Sequence, residues 1–91
     1  MIKIKIVSQS GVVYDSDVAH VTFPGTVGRF AVYPMHAPIV SALKKGDIVC
    51  YSPDEEQTVF PIQSGFVEVK NDQATVCVVL PDEQHTTKNH V

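Results

Sequence analysis

Short apolar segments separated by turn-forming residues are the feature that most limits how this chain of 91 residues can fold. In residues 2–6 isoleucine alternates with lysine, the period of two that is typical of a strand with one buried face. Turn-forming pairs such as Pro24-Gly25 and Asn71-Asp72 recur along the chain. Short strands with a turn about every 8–12 residues predict an antiparallel β-sandwich of about nine to ten strands.

The β-branched content of the chain supports the same fold class. The sequence holds 16 valines, six isoleucines and six threonines, but two leucines. β-branched side chains lose rotamer freedom in a helix and fit well on a pleated surface. Because no long stretch has a helical period of about 3.6 residues, we predict an all-β protein without a C-terminal helical domain.

The chain is short enough for a single domain with one modest core. The apolar pattern continues to Leu80 and stops after Pro81, where the last ten residues include a single apolar side chain, Val91. We therefore predict a β-sandwich domain over residues 1–80 and a flexible polar tail over residues 81–91.

Three local features lead to more detailed expectations. Residues 15–17, with the sequence Asp-Ser-Asp, are expected to interrupt an extended segment that resumes at residue 18. Residues 58–62 and 66–70 are expected to pair with each other around Gly65. Cys50 and Cys77, each flanked by apolar residues, are expected to be buried free thiols on strands.

Charge and hydropathy exclude several classes of protein. Ten acidic and seven basic residues give a formal net charge of -3, and the bases form no stripe of the kind that binds nucleic acid. The longest apolar run, residues 76–80, is far shorter than the ~20 residues of a membrane-spanning helix. The N-terminal segment lacks the continuous apolar region of a secretory signal, so we expect a cytosolic protein.

The sequence offers no constellation typical of catalysis or of metal binding. The two cysteines belong to no CxxC or CxxH pair, and the histidines form no ligand pair. Residues 54–56 are three adjacent acids at a predicted hairpin tip, whereas calcium requires oxygens from spaced positions. We therefore predict no catalytic residue, no metal and no cofactor.

Residues 23–46 form the most unusual part of the sequence. They are rich in proline and glycine but keep large apolar side chains, such as Val27, Phe30, Tyr33 and Met35, near the turns. Two interpretations stay open at this level. The apolar loops form a docking surface that loses little ordering entropy on binding, or their side chains fold back and cap the open end of the sandwich.

The same residues resemble a signature of the epsilon subunit of the rotary F-type ATP synthase. In residues 23–46 the matching positions are Pro24, Gly25, Gly28, Val32, Pro34, His36, Ala37, Pro38, Ile39, Leu43, Lys44 and Gly46. A second block is similar to the family at Gly65, Phe66, Val67, Glu68, Val69 and Val76. Together with the N-terminal segment, the resemblance covers residues 1–80.

The resemblance implies a non-catalytic subunit of the central stalk, in which a β-sandwich docks the gamma subunit to the membrane-embedded c-ring and couples proton flow to ATP synthesis. Such a subunit is peripheral to the cytoplasmic face of the energy-coupling membrane and is not an enzyme by itself. Carried over position by position, the ring-facing residues are Val27, Arg29, Met35 and His36, grouped at one end of the sandwich. The gamma-facing residues are Ser8 and Ser41.

The chain departs from the family at three points. Val27 and Arg29 stand where acidic residues are common, which changes the charge of the ring-facing loop. Met35 stands where glycine commonly precedes the histidine, so we expect that turn to adopt a φ that a side chain tolerates. Ten residues follow Pro81, too few for the helical hairpin with which many members inhibit ATP hydrolysis or bind nucleotide. Neither property is therefore expected here.

Two alternatives stay open. His36 either hydrogen-bonds a backbone carbonyl and fixes its turn, or it contacts the ring or gamma directly. The chain as a whole is either the rotor subunit or a free-standing small β-domain that binds a ligand or peptide through its PGTVG and HAP loops.

Overall fold

In the computed structural model, which describes residues 1–81, nine strands follow one another along the chain. They are β1 (Ile2–Ser8), β2 (Gly11–Val18), β3 (His20–Pro24), β4 (Arg29–Val32), β5 (Ile39–Leu43), β6 (Gly46–Tyr51), β7 (Gln57–Ile62), β8 (Ser64–Lys70) and β9 (Gln73–Val79). The predicted all-β class and the predicted number of strands are confirmed. The polar tail was predicted for residues 81–91, and residues 82–91 lie outside the described part of the chain.

The strands form two sheets. The five-stranded sheet has the order β2-β1-β9-β8-β5, and the four-stranded sheet has the order β4-β3-β6-β7. Neighbouring strands pair antiparallel, as predicted, except that β1 and β9 pair parallel from Lys3 opposite Gln73 to Val7 opposite Cys77. Hydrophobic alternation shows which face of a strand is buried, but it does not show the direction of the neighbouring strand.

The core lies between the sheets and consists of the inward residues of each alternating strand. Its largest fully buried side chains are Phe23, Ile2, Ile4, Ile6, Ile48, Ile62, Val21, Val32, Val67, Val69 and Val76. Fully burying a side chain of this size stabilises the fold by about 1.5–3 kcal/mol relative to leaving it exposed. No buried polar or charged residue occurs among residues 1–81, so hydrophobic burial dominates the stability of the sandwich.

Residues 15–17 do not interrupt a strand, contrary to the prediction. Strand β2 runs through them and places Asp15 opposite Lys5 and Asp17 opposite Lys3. Opposite charges that face each other across an antiparallel pair are stabilising. The two aspartates are therefore accommodated on the solvent face of the five-stranded sheet.

Strands β7 and β8 do not pair, contrary to the second expectation. β7 belongs to the four-stranded sheet, whereas β8 lies between β5 and β9 in the five-stranded sheet. The chain changes sheet at Gln63, whose backbone N–H donates to the Val79 carbonyl at 2.8 Å. The predicted turn at Asn71 and Asp72 is confirmed, because both residues adopt positive φ (54° and 59°) between β8 and β9.

Two loops flank β4 and give this side of the sandwich its shape. Residues 25–28, here called the Val27 loop, lead into β4, and Gly25 bridges Leu43 at the end of β5. Residues 33–38, here called the Met35 loop, lead out of β4 and cross to β5 in the other sheet. β4 and β5 are edge strands, so both loops lie along one side of the sandwich.

Candidate interaction surfaces

An apolar strip crosses the outer face of the five-stranded sheet. Strand register places five apolar residues side by side across all five strands, in the order Val12, Val7, Cys77, Phe66 and Ala42. Val12 and Phe66 are 59% and 60% exposed. An exposed apolar row of this length on a small soluble domain is typical of a surface that a partner covers.

A β-bulge brings Val12 into the strip. The register of β1 and β2 shifts between Ile6 and Val7, so Ile6 faces Tyr14 while Val7 faces Val12. Val13 and Tyr14 consequently both pack against the core. The extra residue turns Val12 toward solvent on the same face as Val7.

Most of the other outward residues of this sheet are charged or polar. Lys3 and Lys5 lie opposite Asp17 and Asp15 on the part of the sheet away from the strip, and Glu68 lies in the same row as Lys5, beyond Thr75 of β9. Exposed Val40 and Val79 border the strip instead. The face is thus divided into an apolar half and a charged half, as at interfaces with an apolar centre and a polar rim.

The two serines predicted to face gamma are chain neighbours of strip residues, and strand alternation turns their side chains toward the other face of the sheet. Ser8 follows Val7 at the end of β1, and Ser41 precedes Ala42 on β5. Both serines are half-buried. The Ser41 hydroxyl donates to the Ala42 carbonyl at 3.1 Å, which holds this side chain against the edge strand.

The four residues predicted to face the ring do not form one end of the sandwich, contrary to the prediction. Val27 lies before β4, Arg29 lies on it, and Met35 and His36 lie after it. A strand of four residues spans about 13 Å, so the Val27 loop and the Met35 loop lie at opposite ends of β4. The four residues are distributed along one edge, which local sequence could not show.

The Val27 loop is held by glycine and by backbone hydrogen bonds. The Gly28 N–H donates to the Gly25 carbonyl at 3.2 Å, and the Thr26 N–H donates to the Ala42 carbonyl at 3.1 Å. A Cβ on Gly25 would lie 2.7 Å from the Gly28 carbonyl oxygen, so this turn has no room for a side chain. The loop is therefore tight, and it projects Val27 fully into solvent.

Arg29 lies across the outer face of the four-stranded sheet. Its Nη2 donates to the Thr22 hydroxyl at 2.9 Å and to the Asp47 carbonyl at 2.7 Å. These bonds link β4 to β3 and β6 through one side chain. One terminal nitrogen of the guanidinium is thereby satisfied within the sandwich.

Met35 adopts the left-handed conformation, with φ of 68°, which corrects the expectation that a side chain would keep this turn out of that region. For a residue other than glycine the left-handed conformation costs about 1–2 kcal/mol. The Met35 N–H donates to the Asp72 carboxylate Oδ1 at 2.6 Å. This charge-assisted bond offsets part of the cost, and the methionine side chain is 89% exposed.

His36 bonds within its own loop. Its Nδ1 lies 2.7 Å from the Ala37 carbonyl oxygen, which requires the proton on Nδ1. This contact agrees with the alternative in which His36 fixes its turn. The ring is half-buried, so contact with a partner stays open as well.

An aromatic stack that local sequence did not indicate lies on the outer face of the four-stranded sheet. His20 lies between Tyr33 and Tyr51, with ring centroids 4.7 and 4.2 Å away and interplanar angles of 13° and 9°. The stack joins β6 to β3 and to the start of the Met35 loop. Alternation in residues 18–23 puts His20 on an outward face, but only the pairing of β3 with β6 brings Tyr51 opposite it, and Tyr33 reaches it just after β4 ends.

The two cysteines differ in environment. Cys50 is buried, and burial raises the pKa of its thiol to about 11, so the thiol stays protonated at neutral pH and is a poor nucleophile. Cys77 is exposed, contrary to the prediction, because it lies at an outward position of β9. Among residues 1–81, no group of three or more His, Cys, Asp or Glu side chains could hold a metal ion.

Comparison with known proteins defines the class of this sandwich. Residues 1–79 match the family described as ATP synthase, Delta/Epsilon chain, beta-sandwich domain. The chain therefore belongs to this ATP synthase family, and the resemblance noted in the sequence is confirmed. Within the described residues, no helix is long and apolar enough to cross a bilayer.

Similar curated proteins are epsilon chains. The chain is 42% identical over 79 residues to the ATP synthase epsilon chain of a Sulfurovum species, covering 87% of this chain and 61% of that protein. It is 42% identical over 77 residues to the epsilon chain of a Nitratiruptor species, covering 85% and 60%. The chain thus spans about 60% of the length of these relatives.

Solved structures agree on the fold. A chain in the Euglena gracilis mitochondrial ATP synthase OSCP/F1/c-ring structure superposes with a TM-score of 0.80 at 20% identity, over 86% of this chain and 50% of that one. A chain in the Tetrahymena thermophila mitochondrial ATP synthase central stalk/c-ring structure gives a TM-score of 0.71 at 11% identity, over 86% and 63%. At such identities the likeness establishes the sandwich architecture.

Proposed function

We propose that this chain is a non-catalytic central-stalk subunit of a rotary ATP synthase, which docks the gamma subunit to the c-ring and couples proton flow to ATP synthesis. In this role it lies on the cytoplasmic face of the energy-coupling membrane, peripheral to it through the complex. Family membership over residues 1–79 supports the assignment to the synthase. The observation that carries the docking role is the apolar strip, because an isolated sandwich has no reason to expose it.

The apolar strip is the proposed contact with gamma. Phe66 is its largest member and lies on β8, near the middle of the strip, where partner contacts are best shielded from water. Central aromatic residues carry most of the binding energy in typical interfaces. Ser8, at the end of β1, and Ser41, on the edge strand β5, are proposed to contact gamma at the margins of this sheet.

The β4 edge is the proposed contact with the c-ring. Val27 and Met35 present two exposed apolar side chains on stiff loops, one at each end of β4. Arg29 lies between them, and His36 supports the Met35 loop. A rigid contact transmits torque with less elastic loss than a flexible one. The proposed role of the chain is therefore mechanical rather than chemical.

The substitution Phe66→Glu tests the gamma contact. A carboxylate near the middle of the strip should weaken binding at least tenfold, about 1.4 kcal/mol, because the charge must be desolvated on docking. The matched control is Gln73→Glu, an outward position of β9 outside the strip. Affinity is measured by titrating the purified chain against the gamma subunit encoded by the same organism.

Comparison of the two variants decides whether the apolar strip is the gamma-binding surface. Loss of gamma binding by Phe66→Glu with retention by Gln73→Glu supports the strip as the docking surface. Equal binding by wild type and both variants would refute that assignment. A wild-type chain that bound no gamma subunit at all would favour the alternative of a free-standing binding module.

A further inference from the structure

Asp72 lies where three segments of the chain meet. It is the second residue of the turn between β8 and β9. Its carbonyl accepts a hydrogen bond from the Lys3 N–H at 3.0 Å, at the start of the parallel β1–β9 pairing. Its carboxylate accepts the Met35 N–H at 2.6 Å. One residue therefore joins the hairpin turn, the first strand and the Met35 loop.

The Met35 loop is held by this tether and, at its first residue, by the stacking of Tyr33 on His20 of the four-stranded sheet. Pro34 and Pro38 have no N–H to donate, and His36 donates its Nδ1 proton to Ala37 within the loop. The loop also leaves one sheet and enters the other, so neither sheet extends its ladder through it. The Asp72 carboxylate supplies the bond that fixes the loop to the five-stranded sheet.

The bond also selects an unfavourable backbone state. Met35 has φ of 68° although it carries a side chain. An N–H donor pointed at a carboxylate forms a stronger bond than one pointed at a neutral acceptor. Without the carboxylate, the extended and right-handed regions of φ and ψ become accessible to Met35, and the loop samples other shapes.

We propose that Asp72 is a positioning residue for the ring contact: its carboxylate holds Met35 in the left-handed conformation and so fixes the Met35 loop in the shape that meets the c-ring. The inference rests on the proposed function for the identity of the partner. The tether itself rests on contacts within this chain. The two parts therefore have separate readouts.

The turn sequence allows the carboxylate to be removed without damage to the hairpin. Asp72→Gly produces the Asn-Gly pair that is most favoured in a two-residue turn with positive φ at both positions, yet it lacks any side-chain acceptor. Asp72→Asn also tolerates positive φ and keeps an oxygen acceptor, although without charge. The first variant isolates the tether, and the second is its conservative rescue.

The first measurement is amide hydrogen exchange by NMR on the full chain. In Asp72→Gly, the Met35 amide should exchange at least tenfold faster, while the amides of β8 and β9 keep their protection. Asp72→Asn should recover most of the Met35 protection. Unchanged Met35 exchange in Asp72→Gly would overturn the proposal, because the loop would then hold its shape without the carboxylate.

The second measurement is the affinity for the c-ring, purified in detergent from the organism that encodes the chain. Asp72→Gly should weaken binding about five- to tenfold, since the apparent Kd rises as the fraction of correctly shaped loop falls, and Asp72→Asn should restore it. Unaltered affinity in Asp72→Gly, together with lost Met35 protection, would refute the positioning role. A wild-type chain that failed to bind the ring would overturn the proposed function, and the exchange rates would still decide the tether.

Discussion

The Val27 loop and the Met35 loop differ in the contacts that hold their shape. Each presents one highly exposed apolar side chain at an end of β4. The Val27 loop is shaped by its own backbone, with Gly25 closed against Gly28 and hydrogen bonds to β5. The Met35 loop is shaped by prolines and by a carboxylate from a distant turn. Both loops therefore use contacts with distant residues, but the backbone alone shapes the Val27 loop, whereas the Met35 loop depends on one side chain.

The largest expected effect concerns the glycine that closes the Val27 loop. Gly25→Ala places a Cβ 2.7 Å from the Gly28 carbonyl oxygen and 2.9 Å from the Phe30 ring. Overpacking against backbone should lower the free energy of unfolding by about 2 kcal/mol. Gly28→Ala is the matched control, because nothing lies within 4 Å of its added Cβ. Urea denaturation measures both variants, and equal stabilities would mean that Gly25 does not close the loop.

A second, smaller effect is a loss of c-ring affinity that tests which of the two loops contacts the ring. Val27→Asp and Met35→Asp both place a charge on a highly exposed position, so neither should change the free energy of unfolding by more than about 0.5 kcal/mol. Each should weaken c-ring binding by roughly 1 kcal/mol, about fivefold, if its loop lies in the interface. Titration against purified c-ring compares them. Full affinity in one variant would remove that loop from the proposed contact, and full affinity in both would refute the β4 edge as the ring-facing surface.

The smallest expected effect is a change in the free energy of unfolding that has opposite signs for glycine substitutions in the two loops. Met35→Gly removes the strain of a left-handed φ but adds conformational entropy to the unfolded chain. The difference between these two effects should raise the free energy of unfolding by about 0.5 kcal/mol. Val27→Gly has no such strain to relieve and should lower it by about 0.5 kcal/mol. Thermal unfolding of both variants provides the comparison. A destabilised Met35→Gly would indicate that the left-handed conformation of Met35 carries no strain.

The class of fold and much of its local detail followed from the order of the residues. The alternation in residues 2–6 correctly indicated that Ile2, Ile4 and Ile6 are buried, and the turn predicted at Asn71 and Asp72 is present, with positive φ at both residues. The spacing of proline, glycine and histidine in residues 23–46 was specific enough to indicate the family, which the match over residues 1–79 confirmed. These features depend on residues that are near one another in the chain, which is why local physical chemistry reveals them.

Which strands pair with each other was decided by the packing of the two sheets. Alternation assigns a face to each strand, but the partner strand and its direction depend on how the sheets close. The parallel pairing of β1 with β9 and the separation of β7 from β8 followed from that closure. The same closure lined up Val12, Val7, Cys77, Phe66 and Ala42 across five strands. It also brought Asp72 to Met35, 37 residues away in sequence, and thereby gave the Met35 loop a conformation that its own residues do not favour.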